Sequence, residues 1–209
     1  AEYGYTLDCE DIADNGMYNT PFKVPSKKYL DYMDFIERRV TATVKELVAI
    51  THDAGKEAMM FLGDCWIGAE PYGDYFPELN LDAVVGSVHN VDNGKLRALV
   101  RDEGPDRACE RYFSELRDMA GRAEIDVAAH FDLVKRYIGA PFTEREVEHN
   151  LRVIGEILQI LVERGIALEL NGSTLGSLGQ LMPCEEIVRL YAQKGGRLLT
   201  FGSDAHSPE

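Results

Sequence analysis

The chain has 209 residues, enough for one well-filled core, and its formal net charge of −14 opposes general attraction to nucleic acid or anionic lipid. With 45% hydrophobic and 28% charged residues it has the composition of a globular protein, and no apolar run approaches the roughly 18 residues a membrane-spanning helix needs. Cys9, Cys65, Cys109 and Cys184 are far apart with no C-x-x-C pair, so they are expected to be reduced thiols in a cytoplasmic protein rather than zinc or redox centres.

The opening "AEYGYTLDCEDIAD" lacks the basic-then-apolar pattern of a secretory signal, and the absence of an initiator Met points to a fragment or a processed end. Within it "EYGYTL" is a marginal strand. Residues 26–54 place Tyr29, Met33, Ile36, Val40, Val44, Leu47 and Ile50 at three- and four-residue steps, which predicts a long amphipathic helix with Ser26 as N-cap and Gly55 as its stop. "EAMMFLGD" reads as a strand, followed by a loop over 64–80 rich in Gly, Pro and aromatics, and then by the apolar strand that begins "LDAVVG". After a polar loop, "PDRACERYFSELRDMAG" predicts a helix with Pro105 in its first turn and Gly121 at its end. Strand "EIDVAAH", helix 143–164 from Thr143, strand "IALELN", helix 183–194 and strand "RLLTFGSD" complete the order. Strand and helix alternate, and several strands are apolar on both faces, so the expected class is α/β: a parallel sheet covered by helices, as a partial or distorted (β/α) barrel. Five confident strands fall short of the eight of a complete barrel, and no repeat or low-complexity linker marks a domain boundary, so a single barrel-like domain is expected.

In parallel α/β folds the chemistry collects at the carboxyl ends of the strands. Those ends carry Asp64 in "FLGD", His89 in "GSVH", His130 in "VAAH" with Asp132 close behind, Asn171 in "LELN", and Asp204 and His206 in "GSDAH". His52 and His149 fall in predicted helices and are expected at the surface. Any one of the rim residues alone is more readily explained as a capping loop residue. Their recurrence instead favours a divalent-metal site that would polarise a phosphoryl oxygen and lower the pKa of a bound water toward about 7. No compact metal motif such as H-E-x-x-H is present.

Together "GSVH", "DVAAHFDLVKRY", "ALELNGSTL" and "FGSDAH" resemble the PHP (polymerase and histidinol phosphatase) family, most closely its histidinol-phosphatase branch, over about residues 84–209. The resemblance implies a distorted seven-stranded barrel that holds two or three divalent metal ions (Zn, Mn or Fe) and hydrolyses a phosphate monoester. It implies His89, His130, Asp204 and His206 as metal ligands or phosphate contacts, with Asp204 and His206 also catalytic, and Asn171 as a rim residue. Arg136 and Lys135 are candidates to neutralise phosphate, or equally a solvated helix start. The family's opening H-x-H strand has no counterpart, since no histidine precedes His52, and Asp64 stands near the place of its metal-bridging glutamate; the resemblance then implies an incomplete centre and impaired hydrolysis.

The first part of the chain resembles a different family. "YNTPFKVPSKKYLDYMDF" and "AGKEAMMFLGDCWIGAEPYGDYFPELNLDAVVGSV" are similar to the 1,3-β-galactosyl-N-acetylhexosamine phosphorylases over about residues 3–88. That family's catalytic domain is also a (β/α) barrel, and it splits β-1,3-galactosides with inorganic phosphate and inversion. The likeness implies Asp64 as the general acid, with Trp66 and Glu70 lining the sugar subsite. Taken singly, Asp64 is as readily a loop cap, Trp66 a core residue and Glu70 a solvated one.

The leading expectation is therefore a metal-dependent phosphoester hydrolase acting on a small phosphorylated metabolite. The alternative is a fragment of an inverting phosphorylase acting on a galactosyl-N-acetylhexosamine. A further reading is a catalytically inactive partial barrel whose unpaired strand edges favour a homo-oligomer.

Overall fold

The structure, a computed structural model, describes residues 3–8, 11, 26–62, 79–92 and 94–205. It divides into two compact units, Ala1–Ala58 with Ile67–Leu81, and Met59–Trp66 with Asp82–Glu209.

The first unit is built on helix α1, Lys27–Asp53. Its extended N-cap, Ser26, accepts a hydrogen bond from the Tyr29 N–H at 3.2 Å through its hydroxyl oxygen, and Gly55 just beyond the helix has φ +66°, so both ends follow the expected signals. Of the expected apolar stripe Tyr29 is buried and Met33, Ile36, Val40 and Val44 are half-buried, but Leu47 and Ile50 near the C-terminal end are exposed, and Val48 is buried there instead. Residues 3–7 of "EYGYTL" form no strand. Tyr3 and Tyr5 lie in a turn and bend, and their phenols donate to carboxylates of α1, Tyr3 to Asp34 at 2.5 Å and Tyr5 to Asp31. Side-chain tethers replace the ladder that a strand would need.

The second unit holds an open sheet of five parallel strands: β1 (Met59–Leu62), β2 (Ala83–Gly86), β5 (Val127–Ala128), β6 (Ala167–Asn171) and β7 (Leu199–Gly202), paired in that order. Among the described residues β1 and β7 do not pair with each other, so no closed barrel forms. Both outer strands carry exposed apolar side chains, Met59 and Phe61 on β1 and Leu199 and Phe201 on β7. A two-stranded antiparallel ribbon, β3 (Asn90–Val91) with β4 (Gly94–Lys95), follows β2.

Helices cover the sheet. The helix expected after Pro105 is present as α3, Pro105–Arg122, but it is preceded by α2, Leu96–Glu103, where a polar loop was expected. Gly104 separates the two with φ +81°. After β5 comes the short α4, Val134–Ile138. The single helix expected over 143–164 is two: α5, Glu144–His149, opened by a Thr143/Glu146 capping box, and α6, Leu151–Arg164. They meet at Asn150, whose side-chain amide donates to the Glu146 carbonyl at 2.9 Å and turns the chain without interrupting its apolar period. The short α7 (Leu175–Leu178) and α8 (Glu185–Gln193) both lie between β6 and β7 in sequence.

The core forms where α3 packs on α6. Tyr112, Phe113, Leu116 and Met119 face Ile154, Ile157, Leu158 and Leu161 as fully buried side chains of those two helices. Phe113 also meets Phe131 and Phe142 at ring-centroid distances of 6.0 and 6.4 Å. This packing reaches the sheet at Gly86, where an added Cβ would fall 2.8 Å from Ile125, so the end of β2 has no room for a side chain. Cys109 and Cys184 are free and buried.

Candidate functional site

Because the strands run parallel, their carboxyl ends reach one rim of the sheet. β2 leads to His89, β5 to His130, β6 ends in Asn171, and β7 leads to Asp204. The His89 and His130 rings meet edge-on with centroids 4.9 Å apart. His130 has φ +30° and Asp204 φ +51°, left-handed backbone that non-glycine residues seldom adopt and that concentrates at functional positions.

His130 is held by its backbone. Its N–H donates to Glu169 Oε2 at 2.8 Å, and its carbonyl accepts from the Tyr112 hydroxyl at 3.3 Å. Its ring Nδ1 is buried without a hydrogen-bond partner among the described residues. Burial, reinforced by the adjacent His89, lowers its pKa to about 4 against the opposing pull of Asp204, so the imidazole is neutral at pH 7.

Glu169 was not among the expected site residues, yet it joins three strands. Besides His130 it accepts from the Asn171 side-chain amide at 3.1 Å, and it lies over Gly202 of β7 so closely that a Cβ there would sit 2.0 Å from Oε1. The one signal available was a carboxylate inside the otherwise apolar "IALEL", a composition that is rare in a buried strand.

Arg136, near the end of α4's first turn, donates to Asp204 Oδ2 at 2.8 Å and to the Ser173 hydroxyl oxygen. Burial would raise the Asp204 pKa, but the Arg136 guanidinium outweighs it and holds the carboxyl below its usual range. Ser173 in turn donates to Asn171 Oδ1 at 2.6 Å. A continuous hydrogen-bonded line thus runs from Asp204 through Arg136, Ser173 and Asn171 to Glu169 and the His130 backbone.

Lys135 does not belong to this surface. It is fully buried, its ammonium spent on Asp132 at 2.8 Å, Gln180 at 2.9 Å and the Leu181 carbonyl, so it can neither neutralise a phosphate nor start a solvated helix. Asp132 is equally buried, and burial raises its pKa against the opposing effect of Lys135. His149 is exposed on α5, as expected, while His52 on α1 is half-buried. Asp64, Trp66, Glu70 and His206 lie outside the described residues.

The nitrogens of His89 and His130 are of the type that zinc, manganese or iron accepts, and the unpartnered Nδ1 of His130 is an available donor. Among the described residues no group of three or more His, Cys, Asp or Glu is gathered closely enough to hold a metal ion. The described donors therefore do not make up a coordination set by themselves. No helix among the described residues is long and apolar enough to cross a membrane.

Residues 1–104 match the family model of the lacto-N-biose phosphorylase N-terminal TIM barrel domain. The chain is 57% identical over 88 residues to the 1,3-beta-galactosyl-N-acetylhexosamine phosphorylase of Bifidobacterium longum subsp. longum, a match over 42% of this chain and 12% of that protein. It is 32% identical over 133 residues to a probable histidinol-phosphatase of Clostridium acetobutylicum, covering 60% of this chain and 50% of that protein. In fold it is similar to histidinol phosphate phosphatase from Lactococcus lactis, solved with zinc, L-histidinol and phosphate, at a TM-score of 0.57 and 21% identity over 79% of this chain and 65% of that one. The chain spans about half the length of its phosphatase relative and a much smaller share of its phosphorylase relative. It therefore resembles two families at once, lacto-N-biose phosphorylases over residues 1–104 and histidinol-phosphatases over 60% of its length.

Proposed function

We propose that the chain is a metal-dependent phosphomonoester hydrolase of the histidinol-phosphatase type. The observation that carries this reading is the rim line from Asp204 through Arg136, Ser173, Asn171 and Glu169 to His130, with His89 against His130. The relatives named histidinol-phosphatase support it independently.

In this reading the Arg136 guanidinium binds the phosphate oxygens, and Asp204 and the Ser173 hydroxyl oxygen fix the guanidinium plane for a fork-like contact. His89, His130, Asp204 and His206 would hold the metal. A bound divalent ion supplies Lewis-acid polarisation of the phosphoryl oxygen and acidifies a bound water. His130, neutral at pH 7, keeps its ring nitrogen free to act as a ligand, while Glu169 and Asn171 fix its backbone. The protein is tested by loading it with zinc or manganese and following phosphate release from histidinol phosphate and from an aryl phosphate. Wild-type release that is lost in Asp204→Asn and His130→Gln supports the reading, whereas a protein that takes up no metal and releases no phosphate refutes it.

The phosphorylase match to residues 1–104 favours a second reading, a piece of an inverting β-1,3-galactosyl-N-acetylhexosamine phosphorylase with Asp64 as acid and Trp66 and Glu70 at the sugar. The two reactions move phosphate in opposite directions. The hydrolase liberates it, while the phosphorylase consumes it and forms galactose 1-phosphate, so one phosphate assay with each substrate separates them.

A further inference from the structure

Two fully buried charges, Asp132 and Lys135, lie between the rim residues His130 and Arg136 in sequence and pair with each other. An ammonium has three donors, and Lys135 spends them on Asp132, Gln180 and the Leu181 carbonyl. The same Asp132 oxygen, Oδ2, accepts the Cys184 N–H at 2.9 Å. The pair therefore binds the corner after β5 to the segment 180–184, far along the chain. Gln180 extends the tie, receiving the Phe142 N–H at 3.0 Å and donating to the Phe142 carbonyl at 2.9 Å. From there the chain returns to the rim, because Met182 exchanges backbone hydrogen bonds with Asn171 at 2.7 and 3.0 Å.

Each end of this brace continues into a residue of the rim. Arg136 follows Lys135 directly, and Asn171 and Ser173 begin the loop whose far end Lys135 and Asp132 hold. Burying an ion pair is a costly way to gain stability, since apolar side chains of similar size generally serve as well. What the pair supplies beyond packing is a single register between two loops.

We infer that Asp132 and Lys135 are positioning residues of the rim: they set the Arg136 guanidinium against Ser173 and Asp204 by locking the β5–α4 corner to the loop after β6. This deepens the hydrolase reading and rests on it for its kinetic consequence, but the placement of Arg136 can be read without catalysis.

The experiment compares the wild type with Asp132→Asn/Lys135→Met, which removes both buried charges together and leaves an acceptor for the Cys184 N–H, and with Gln180→Met, a milder change at a half-buried position. Thermal melting reports folding, the Arg136 Nε–H resonance in 1H–15N spectra reports the surroundings of the guanidinium whose Nη2 holds Asp204, and KM and kcat are measured with an aryl phosphate after zinc loading. The double variant is expected to fold, to shift the Arg136 resonance away from its wild-type position, and to raise KM by about tenfold with kcat changed much less. Gln180→Met moves both readouts the same way by about threefold in KM. A folded double variant with the wild-type Arg136 resonance and KM overturns the inference. If the double variant does not fold, Gln180→Met decides on the same criteria. If the wild type releases no phosphate, the hydrolase reading fails by itself, and the Arg136 resonance alone then supports or overturns the brace.

Discussion

Gly202→Ala is the smallest change that tests how the rim is supported. Its backbone lies in β7 outside the left-handed region, so alanine itself is compatible with the strand. The added Cβ would fall 2.0 Å from Glu169 Oε1 and 2.9 Å from its Cδ, and the carboxylate has to move. Moving it breaks the bonds to the buried His130 N–H and to the Asn171 amide. Leaving a buried donor unpaired costs about 1–3 kcal/mol, and hydrogen bonds to a charged acceptor are at the upper end, so a loss of about 2–4 kcal/mol is expected. Glu169→Ala loses the same bonds and also empties the space that the Cβ needs. In that background Gly202→Ala should cost nothing, or stabilise by about 0.4–1 kcal/mol by restricting the unfolded chain. Urea unfolding followed by far-ultraviolet circular dichroism on the metal-free wild type, the two single variants and the double variant closes the cycle, with a constant m value as the check on two-state behaviour. If the two substitutions add to within about 0.5 kcal/mol, Glu169 does not occupy the space over Gly202 and the support described for His130 is wrong.

The native His130 imidazole, with a pKa near 4, stays neutral over a range in which an ordinary imidazole near 6.5 takes up a proton. The unfolded chain therefore binds more protons between those values, and stability, complete above about pH 6.5, falls by up to about 3 kcal/mol as pH drops toward 4. Metal-free His130→Gln should lack that part of the slope in urea titrations at several pH values, and a flat difference curve would contradict the burial described. Thr143→Ala removes one half of the capping box and should cost about 1 kcal/mol, seen as a fall of roughly 2–4 °C in melting temperature; an unchanged melt would mean that α5 does not depend on its cap. Phe61→Lys with Phe201→Lys places charge on the two outer strands where large apolar rings are exposed. If strand edges drive self-association, the double variant elutes later in size-exclusion chromatography at an unchanged melting temperature, whereas an unaltered elution volume rules out those edges as the contact.

Local signals were legible where one element's own residues decide its structure. Ser26, Gly55 and Pro105 marked helix ends correctly because capping and φ preferences act within a few residues. The break at Asn150 was invisible because Val147 and Ile154 continue one apolar period across it, so spacing alone could not show that the chain turns. Leu96–Glu103 was read as a polar loop because only Leu96 and Leu99 are buried in a run crowded with charge. Lys135 shows the deeper limit. A lysine beside an arginine after a strand end reads as surface, and its burial follows from acceptors on Gln180 and Leu181 more than 40 residues away, which no local pattern reveals. Glu169 was missed for a related reason: its role follows from a glycine on the next strand.

The two sequence likenesses meet within one sheet, and the pairing of β2 explains how that is sterically allowed. On one side β2 pairs with β1 through all four residues, from Met59 with Ala83 to Leu62 with Gly86. On the other it pairs with β5, Val85 with Val127 and Gly86 with Ala128. A parallel strand between two parallel neighbours needs only extended backbone and side chains that suit both covering layers, and "AVVG" meets both demands with buried valines and a terminal glycine. Gly86 is the narrowest point, because Ile125 and Met119 close over it from the phosphatase-like side while its neighbour in register, Leu62, belongs to the phosphorylase-like stretch. The residues that follow, Ser87 through His89, carry the chain to the rim, where the His89 ring meets His130. The described contacts at the rim come from the segments after β2, β5, β6 and β7, and the strand beneath them can be shared by two families without specifying the reaction of either.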